Sequence, residues 1–378
     1  MNRKLRNLAF TLHRYIGLAV GIILIIVGLT GSLLVFEREL DDWAIQQRFG
    51  HVVAQEQRLS AATLVDNVKV AYAKHPDWQV GQVQMLPKQE FYTIRLNRTD
   101  DTQWEVFVNP YTGVIMGDRQ RETALFNRVL ELHYALLVGN TGMVIVGIAA
   151  FLLVILSITG IVLWPGWRKL ISGFKIKWLA HPKRVNFDIH KVAGMITAVF
   201  LTAIAFTGFC WNFYEYAEPA IYAATFTPKP PEVKSTLENG KPTLQLDEVL
   251  RRSNAALPGA TTTFINLPQK PDQVFEIYKK VPGDSEDFNS YVKLDQFSGK
   301  VLYVHDSRTG RLGDRVLNSF TPLHYGTFGG LPTRIFYVFV GLSPTILLIT
   351  GFVMWWYRYR AISDSVINTK EPAEQRRA

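Results

Sequence analysis

Four stretches of this chain, residues 15–36, 142–167, 192–214 and 335–357, contain no Asp, Glu, Lys or Arg. Each runs for 22 residues or more. At 1.5 Å per residue that length crosses a hydrocarbon core of about 30 Å. Core helices of soluble domains seldom stay uncharged for so long, so the stretches predict four transmembrane helices. The overall composition, 48% hydrophobic and 19% charged, conceals them because the charges are gathered between the spans.

Those charges predict an orientation. Arg3, Lys4, Arg6 and Arg14 precede the first span, Arg168, Lys169, Lys175, Lys177, Lys183 and Arg184 crowd the loop after the second, and Arg358 and Arg360 follow the fourth. By the positive-inside rule all three groups are cytoplasmic. The expected organisation is then a cytoplasmic N-terminus with span one (1–36), an outer lobe (37–141), span two (142–167) and a basic cytoplasmic loop (168–191). Span three (192–214), a second outer lobe (215–334), span four (335–357) and a cytoplasmic tail (358–378) complete it. The first span is too long for a signal peptide and lacks a small-residue cleavage site, so it reads as a retained anchor. The net charge of +9 partly reflects this topology and is a weak argument for nucleic-acid binding. Cys210, the only cysteine, excludes an internal disulfide, a thiolate metal cluster and covalent haem attachment through C-x-x-C-H.

The chain repeats itself. "LHRYIGLAVGIILIIVGLTGSLLVFE" aligns with "IHKVAGMITAVFLTAIAFTGFCWNFYE", matching His13 to His190 and Gly31 to Gly208 at an offset of 177. "LHY…SITGIVLW" aligns with "LHY…LITGFVMW", matching His133 to His324, Gly160 to Gly351 and Trp164 to Trp355 at an offset of 191. Each half is His, span, lobe, His, span. In both lobes one amphipathic helix (60–75; 243–257) precedes alternating strand-like segments, and "NPYTGVI" is echoed by "DQFSGKV" as a Gly-bearing turn. "TPKPPEV" at 227–233 reads as a semi-rigid linker. The fold class expected is an integral membrane α-helical protein of four spans in two parallel repeats, carrying two α+β lobes on the outer side.

Parallel repeats place equivalent residues at equal depth. His13 and His190 would then face one another at the cytoplasmic side, and His133 and His324 at the outer side. Facing imidazoles suit the two axial positions of a haem iron. His13 to Gly31 and His190 to Gly208 each span 18 residues, which is about 27 Å of helix. His133 to Gly160 and His324 to Gly351 each span 27 residues. Each histidine pair is thereby matched in depth by a glycine pair, which would give a porphyrin face helix surfaces without side chains. Close helix packing is the ordinary alternative for those glycines. Arg14 and Lys191 follow the inner histidines, Tyr134 and Tyr325 follow the outer ones, and Arg128 and Arg334 lie within reach of the outer level. All six are candidates to hold haem propionates, with snorkelling as the alternative for the cations. Trp164, Trp167, Trp355, Trp356 and Tyr357 read as an interfacial aromatic belt.

With "LHRYIGLAVG…LTGSLLVFE", "LHYALLVGNTG", "IHKVAGM" and "LHYGTFGGLPTRIFYVFVGL", the chain resembles the PepSY-associated transmembrane family of bacteria over nearly its whole length. Within that family it looks most similar to inner-membrane ferric-siderophore reductases of the ferrioxamine type. The resemblance implies two b-type haems with His13, His190, His133 and His324 as axial ligands, PepSY-like lobes in the periplasm and a Gram-negative inner membrane. The expected activity is reduction of a periplasmic ferric siderophore, by an unidentified electron donor, to release Fe(II) for uptake. A quinone or protein acceptor for the same haems is one alternative. A haem-independent anchor for a PepSY binding or inhibitory module is another. A transporter is disfavoured because the spans carry no carboxylates and only Pro344 interrupts one.

Overall fold

The computed structural model describes residues 2–100, 102–236, 242–284 and 286–368, with side chains to 360. Residues 369–378 of the expected tail lie outside the described residues. The chain opens with α1 (Arg3–Leu34), whose first turn is capped by the Asn2 side chain accepting from the Lys4 amide at 3.1 Å. Then come α2 (Glu37–Phe49), α3 (Ala61–Ala71), and strands β1 (Gln79–Gln84), β2 (Tyr92–Asn97), β3 (Gln103–Val108) and β4 (Ile115–Gln120). A short helix α4 (Leu125–Ala135) precedes α5 (Gly139–Leu163), and α6 (Leu170–Phe174) precedes α7 (Pro182–Asn212). The second half continues with α8 (Tyr214–Ala224), α9 (Leu246–Ala256), β5 (Thr261–Asn266), β6 (Val274–Lys280), β7 (Ser290–Asp295) and β8 (Val301–His305). It closes with α10 (Leu312–Tyr325) and α11 (Leu331–Asn368).

Two compact units result. One holds residues 1–35, 129–214 and 323–378, and the other holds 36–128 and 215–322. In the first unit, four helices are long and apolar enough to cross a membrane: Arg3–Leu34, Gly139–Arg168, Pro182–Asn212 and Leu331–Arg360. Helix α1 packs against α5 and α11, and α7 packs against the same two, so α1 and α7 stand diagonally across a four-helix bundle. The α1–α11 contact is built on small residues. A Cβ at Gly28 would collide with the Gly341 carbonyl, and one at Gly341 with Ser32. The Ser32 hydroxyl donates across this seam to the Val338 carbonyl at 2.9 Å. Pro344 cannot donate to the Val340 carbonyl one turn back, and the Ser343 hydroxyl does so instead at 2.6 Å.

The second unit corrects the expectation of two lobes. All eight strands form one antiparallel sheet in the order β4-β3-β2-β1-β5-β6-β7-β8, with the halves joined where β1 pairs β5. Val83 lies opposite Ile265, and if the two strands are read in step, Ile265 is also the residue equivalent to Val83. Helices α3 and α9 pack on one face, so Leu64, Val68, Val83, Ile94, Val249, Ile265, Ile277 and Val292 share a single core. Ile45 and Phe49 of α2 pack with Phe91 and Phe107 in a separate small cluster. The expected lobe ends at 141 and 334 also move. Residues 129–141 and 323–334 belong with the membrane helices, because α4 and α10 lead directly into α5 and α11.

The two echoed turns are built alike. The Asn109 side chain accepts from the Tyr111 and Thr112 amides at 2.9 and 3.2 Å, and Gly113 takes φ +73°. The Asp295 side chain accepts from the Phe297 and Ser298 amides at 3.1 and 2.7 Å, and Gly299 takes φ +67°. An Asx turn followed by a left-handed glycine is what "NPYTG" and "DQFSG" share.

Candidate functional site: two histidine pairs

The four duplicated histidines meet in pairs. His13 of α1 and His190 of α7 have ring centres 6.2 Å apart with planes at 85°. His133 of α4 and His324 of α10 have ring centres 6.1 Å apart with planes at 82°. The first pair sits near the starts of the diagonal helices α1 and α7, and the second meets their far ends. His13 and Gly31 are 18 residues apart on α1, so the levels are separated by about 27 Å along the bundle.

Every imidazole is seated on a Thr-Gly dipeptide of a neighbouring helix. His13 Nδ1 lies 3.0 Å from Thr159 Oγ1, and His190 Nδ1 lies 2.8 Å from Thr350 Oγ1. His133 Nδ1 lies 3.1 Å from Thr30 Oγ1, and His324 Nδ1 lies 2.8 Å from Thr207 Oγ1. Each threonine donates its own hydroxyl hydrogen one turn back, to Ile155, Ile346, Ile26 and Ala203 at 2.7, 2.6, 2.7 and 2.9 Å. The threonine oxygen must therefore accept, and Nδ1 must carry the proton. Backbone carbonyls agree, since they can only accept: Leu156 at 3.1 Å for His13 and Val27 at 2.9 Å for His133. Leu347 and Ile204 bond His190 and His324 in the same way. With Nδ1–H committed in all four rings, Nε2 keeps its lone pair for a metal.

The glycines lie against the histidines. A Cβ at Gly31 would stand 2.9 Å from His133 Cε1, one at Gly160 3.3 Å from His13, one at Gly208 3.3 Å from His324 and one at Gly351 3.5 Å from His190. They make room for the imidazole edge, beside the threonine that holds its nitrogen. The four threonines escaped the sequence reading. Their signal was legible, because "TG" recurs at 30–31, 159–160, 207–208 and 350–351.

The charged candidates divide. Arg14 stacks on Tyr15 at 4.4 Å, and its Nε is buried without a hydrogen bond among the described residues. Such an orphaned donor suits an incoming anion. Lys191 does not suit this use. Its ammonium is buried, 2.7 Å from the buried Asp188 carboxylate and 3.2 Å from the Ser172 carbonyl, so it ties α7 to α6. Arg334 donates to the Val35 carbonyl at 2.5 Å. Arg128 is on the helix of His133 but falls with the sheet unit. Tyr134 and Tyr325 are partly exposed beside their histidines, and Trp211, a residue the sequence reading passed over, packs 4.7 Å from the His324 ring. Trp164 leaves the expected belt: it is buried against Phe174 and Trp167.

The donor set has a clear chemistry. Two imidazoles on opposite sides of one metal ion, each nitrogen about 2 Å from it, have ring centres roughly 6 Å apart. Among the described residues no group of three or more His, Cys, Asp or Glu gathers for a metal. Each pair thus offers two imidazole nitrogens at a spacing that one metal ion could bridge.

A family model for the PepSY-associated TM region matches residues 10–358. The chain belongs to that family. A search among curated proteins found no match. Family membership, together with the four apolar helices, makes this a multi-pass membrane protein of the PepSY-associated TM region family.

Proposed function

We propose that the chain is a di-haem b reductase of a Gram-negative inner membrane, delivering electrons to a periplasmic ferric siderophore and so releasing Fe(II). The observation that carries this reading is the pair of bis-histidine sites, alike in spacing and in tautomer, on two levels of one bundle. Haem held between each pair would supply reversible one-electron chemistry. The protein's own contribution is positional. His13 and His190 would hold one iron and His133 and His324 the other, while Thr159, Thr350, Thr30 and Thr207 fix each ring's rotation and proton. Arg14 supplies a buried donor for a propionate. Its counterpart Lys191 does not, and this makes the inner site asymmetric.

The basic segments before α1, between α5 and α7, and after α11 support an orientation with both termini cytoplasmic and the sheet unit periplasmic. The equal offsets and the twin Asx turns support two parallel repeats carrying PepSY-like halves. A ferric chelate suits the acceptor role because siderophore oxygens are hard donors that hold Fe(III) well and Fe(II) less tightly, so one electron loosens the metal.

The test is an absorption spectrum of the detergent-purified chain from haem-replete cells, oxidised and dithionite-reduced, with haem quantified per chain. Two haems with the sharp reduced bands of bis-histidine iron, followed by faster reoxidation with a ferric hydroxamate than with a quinone, are expected. A colourless protein would overturn the reading in favour of a haem-independent binding module. Reoxidation by quinone alone would replace the substrate.

A further inference from the structure

In β6 the core-facing positions run Phe275, Ile277, Lys279, and Lys279 is as buried as the two before it. An apolar residue would be the ordinary choice there. Its ammonium donates to Asn254 Oδ1 of α9 at 2.5 Å. Among the described residues no carboxylate stands against it, and the only influence on its ionisation is burial, which lowers it to about 8. An ammonium sealed in a core without a counter-charge is costly and calls for compensation.

That compensation has a place to come from. Asn254 lines a groove of about 470 Å³ together with Arg58, Thr261, Thr262, Met85 and Leu250. Because a lysine can only donate, Asn254 turns its oxygen to Lys279, which frees its two amide hydrogens for the groove. Arg58, the second cation, is bonded to the phenols of Tyr92, at 2.9 Å, and Tyr111, and no carboxylate among the described residues neutralises it. No lining residue is acidic. The groove therefore combines one lining cation, Arg58, with an amide donor, two threonine hydroxyls and an apolar floor, and the buried Lys279 ammonium stands behind the amide.

We propose that this groove, which lies wholly within the sheet unit, binds a small organic carboxylate with an apolar body. The carboxylate sits between Arg58 and the Asn254 amide, with Lys279 behind as the buried counter-charge, and the body lies on Met85 and Leu250. Fatty or aromatic monocarboxylates fit this description in charge and size. The site is independent of the histidine pairs and of any redox activity.

Benzoate is the probe, with benzamide and benzylamine as uncharged and cationic ligands of similar shape, titrated calorimetrically into the full-length chain in a neutral detergent. Benzoate is expected to bind, benzamide about tenfold or more weakly, and benzylamine not at all, since charge-assisted hydrogen bonds separate the three. Lys279→Met, which keeps the volume of the buried stem, and Arg58→Gln are each expected to lower benzoate affinity about tenfold without changing benzamide. Arg58→Gln leaves the core intact and keeps the test sound if Lys279→Met folds poorly. Equal affinity for benzoate and benzamide, no binding of benzoate at millimolar concentration, or unchanged benzoate binding in both variants would each overturn the proposal.

Discussion

The two histidine pairs use the same imidazole–threonine lock but rest on different backbones. His13 and His190 sit inside long helices, where hydrogen bonds above and below hold the chain. His133 and His324 sit in the last turns of the short helices α4 and α10, just before corners. The corner after His133 is strained: Leu136 and Leu137 take φ +50° and +61°, a region that side chains with a Cβ avoid. Asn212 of α7 pins it by donating to the Tyr134 and Met143 carbonyls at 3.0 and 2.8 Å. The corner after His324 relieves the same need with Gly326 at φ +71°. The lesson is that equal ligand geometry conceals unequal support, and the second level depends on tertiary contacts where the first depends on helix.

On the di-haem proposal, His133→Ala or His324→Ala should lose one haem of two and leave the other spectrum unchanged, and His13→Ala should do the converse. Pyridine haemochrome quantification reads both. Loss of both haems from a single substitution would mean that the two levels are not independent.

The locks come next. Thr207→Val keeps the side chain's shape and removes the acceptor, so it should weaken haem retention about 10- to 100-fold and shift one midpoint potential. Thr207→Ser should restore both, as measured by redox titration. A potential unmoved in Thr207→Val would deny the threonine its orienting role.

The glycines sharpen the contrast. Gly31→Ala meets the His133 ring at 2.9 Å and should cost about 1–3 kcal/mol of stability, whereas Gly351→Ala, at 3.5 Å from His190, should be close to neutral. Thermal unfolding with haem loss as the signal would separate them. Leu137→Gly tests the corner itself. Relieving the left-handed strain should stabilise the second level by about 1 kcal/mol, and a lower midpoint would argue that the leucine side chain matters more than its φ.

The smallest expected effect lies in the sheet unit. Burial holds the Asp42 carboxyl up at about 6, against the hydrogen bond it accepts from Gln89 at 2.7 Å. A carboxyl raised on folding favours the folded state below its unfolded value, and that contribution is lost as pH rises through 6. Asp42→Asn should therefore remove a decline of about 1 kcal/mol between pH 4 and 7. Parallel unfolding curves for parent and variant over that range would sink the claim.

How much of this was legible depends on whether a feature is local. The uncharged windows announced their helices, and "SAATLVDNV" announced α3 through the Ser60 cap, which accepts from the Thr63 amide at 3.2 Å. Repeat offsets match His13 to His190 and His133 to His324, the same couples whose ring centres lie 6.2 and 6.1 Å apart. What failed was long-range pairing. Nothing in "WQVGQVQML" or "TTTFINL" says that their edges join, so one sheet was read as two lobes. Lys191 is a propionate candidate by its place after His190, and only the fold shows its ammonium committed to Asp188, three residues earlier on α7. The contact of the four glycines with the histidine rings was not legible, since depth fixes the level but not which atom fills the space.

The junction of β1 with β5 bears on ancestry. Val83 pairs with Ile265, its counterpart when the two strands are read in step, and on that reading the seam has the symmetry of two identical chains meeting. A half-length protein with one pair of spans would present β1 as a bare edge, and a second copy would offer the matching edge to close it. Four histidines would then come two from each copy, with each facing pair formed between subunits. Read this way, the chain is built like a homodimer made covalent, and a covalent link lets two halves diverge: Arg14 Nε is without a hydrogen bond among the described residues, whereas Lys191 is turned inward on Asp188.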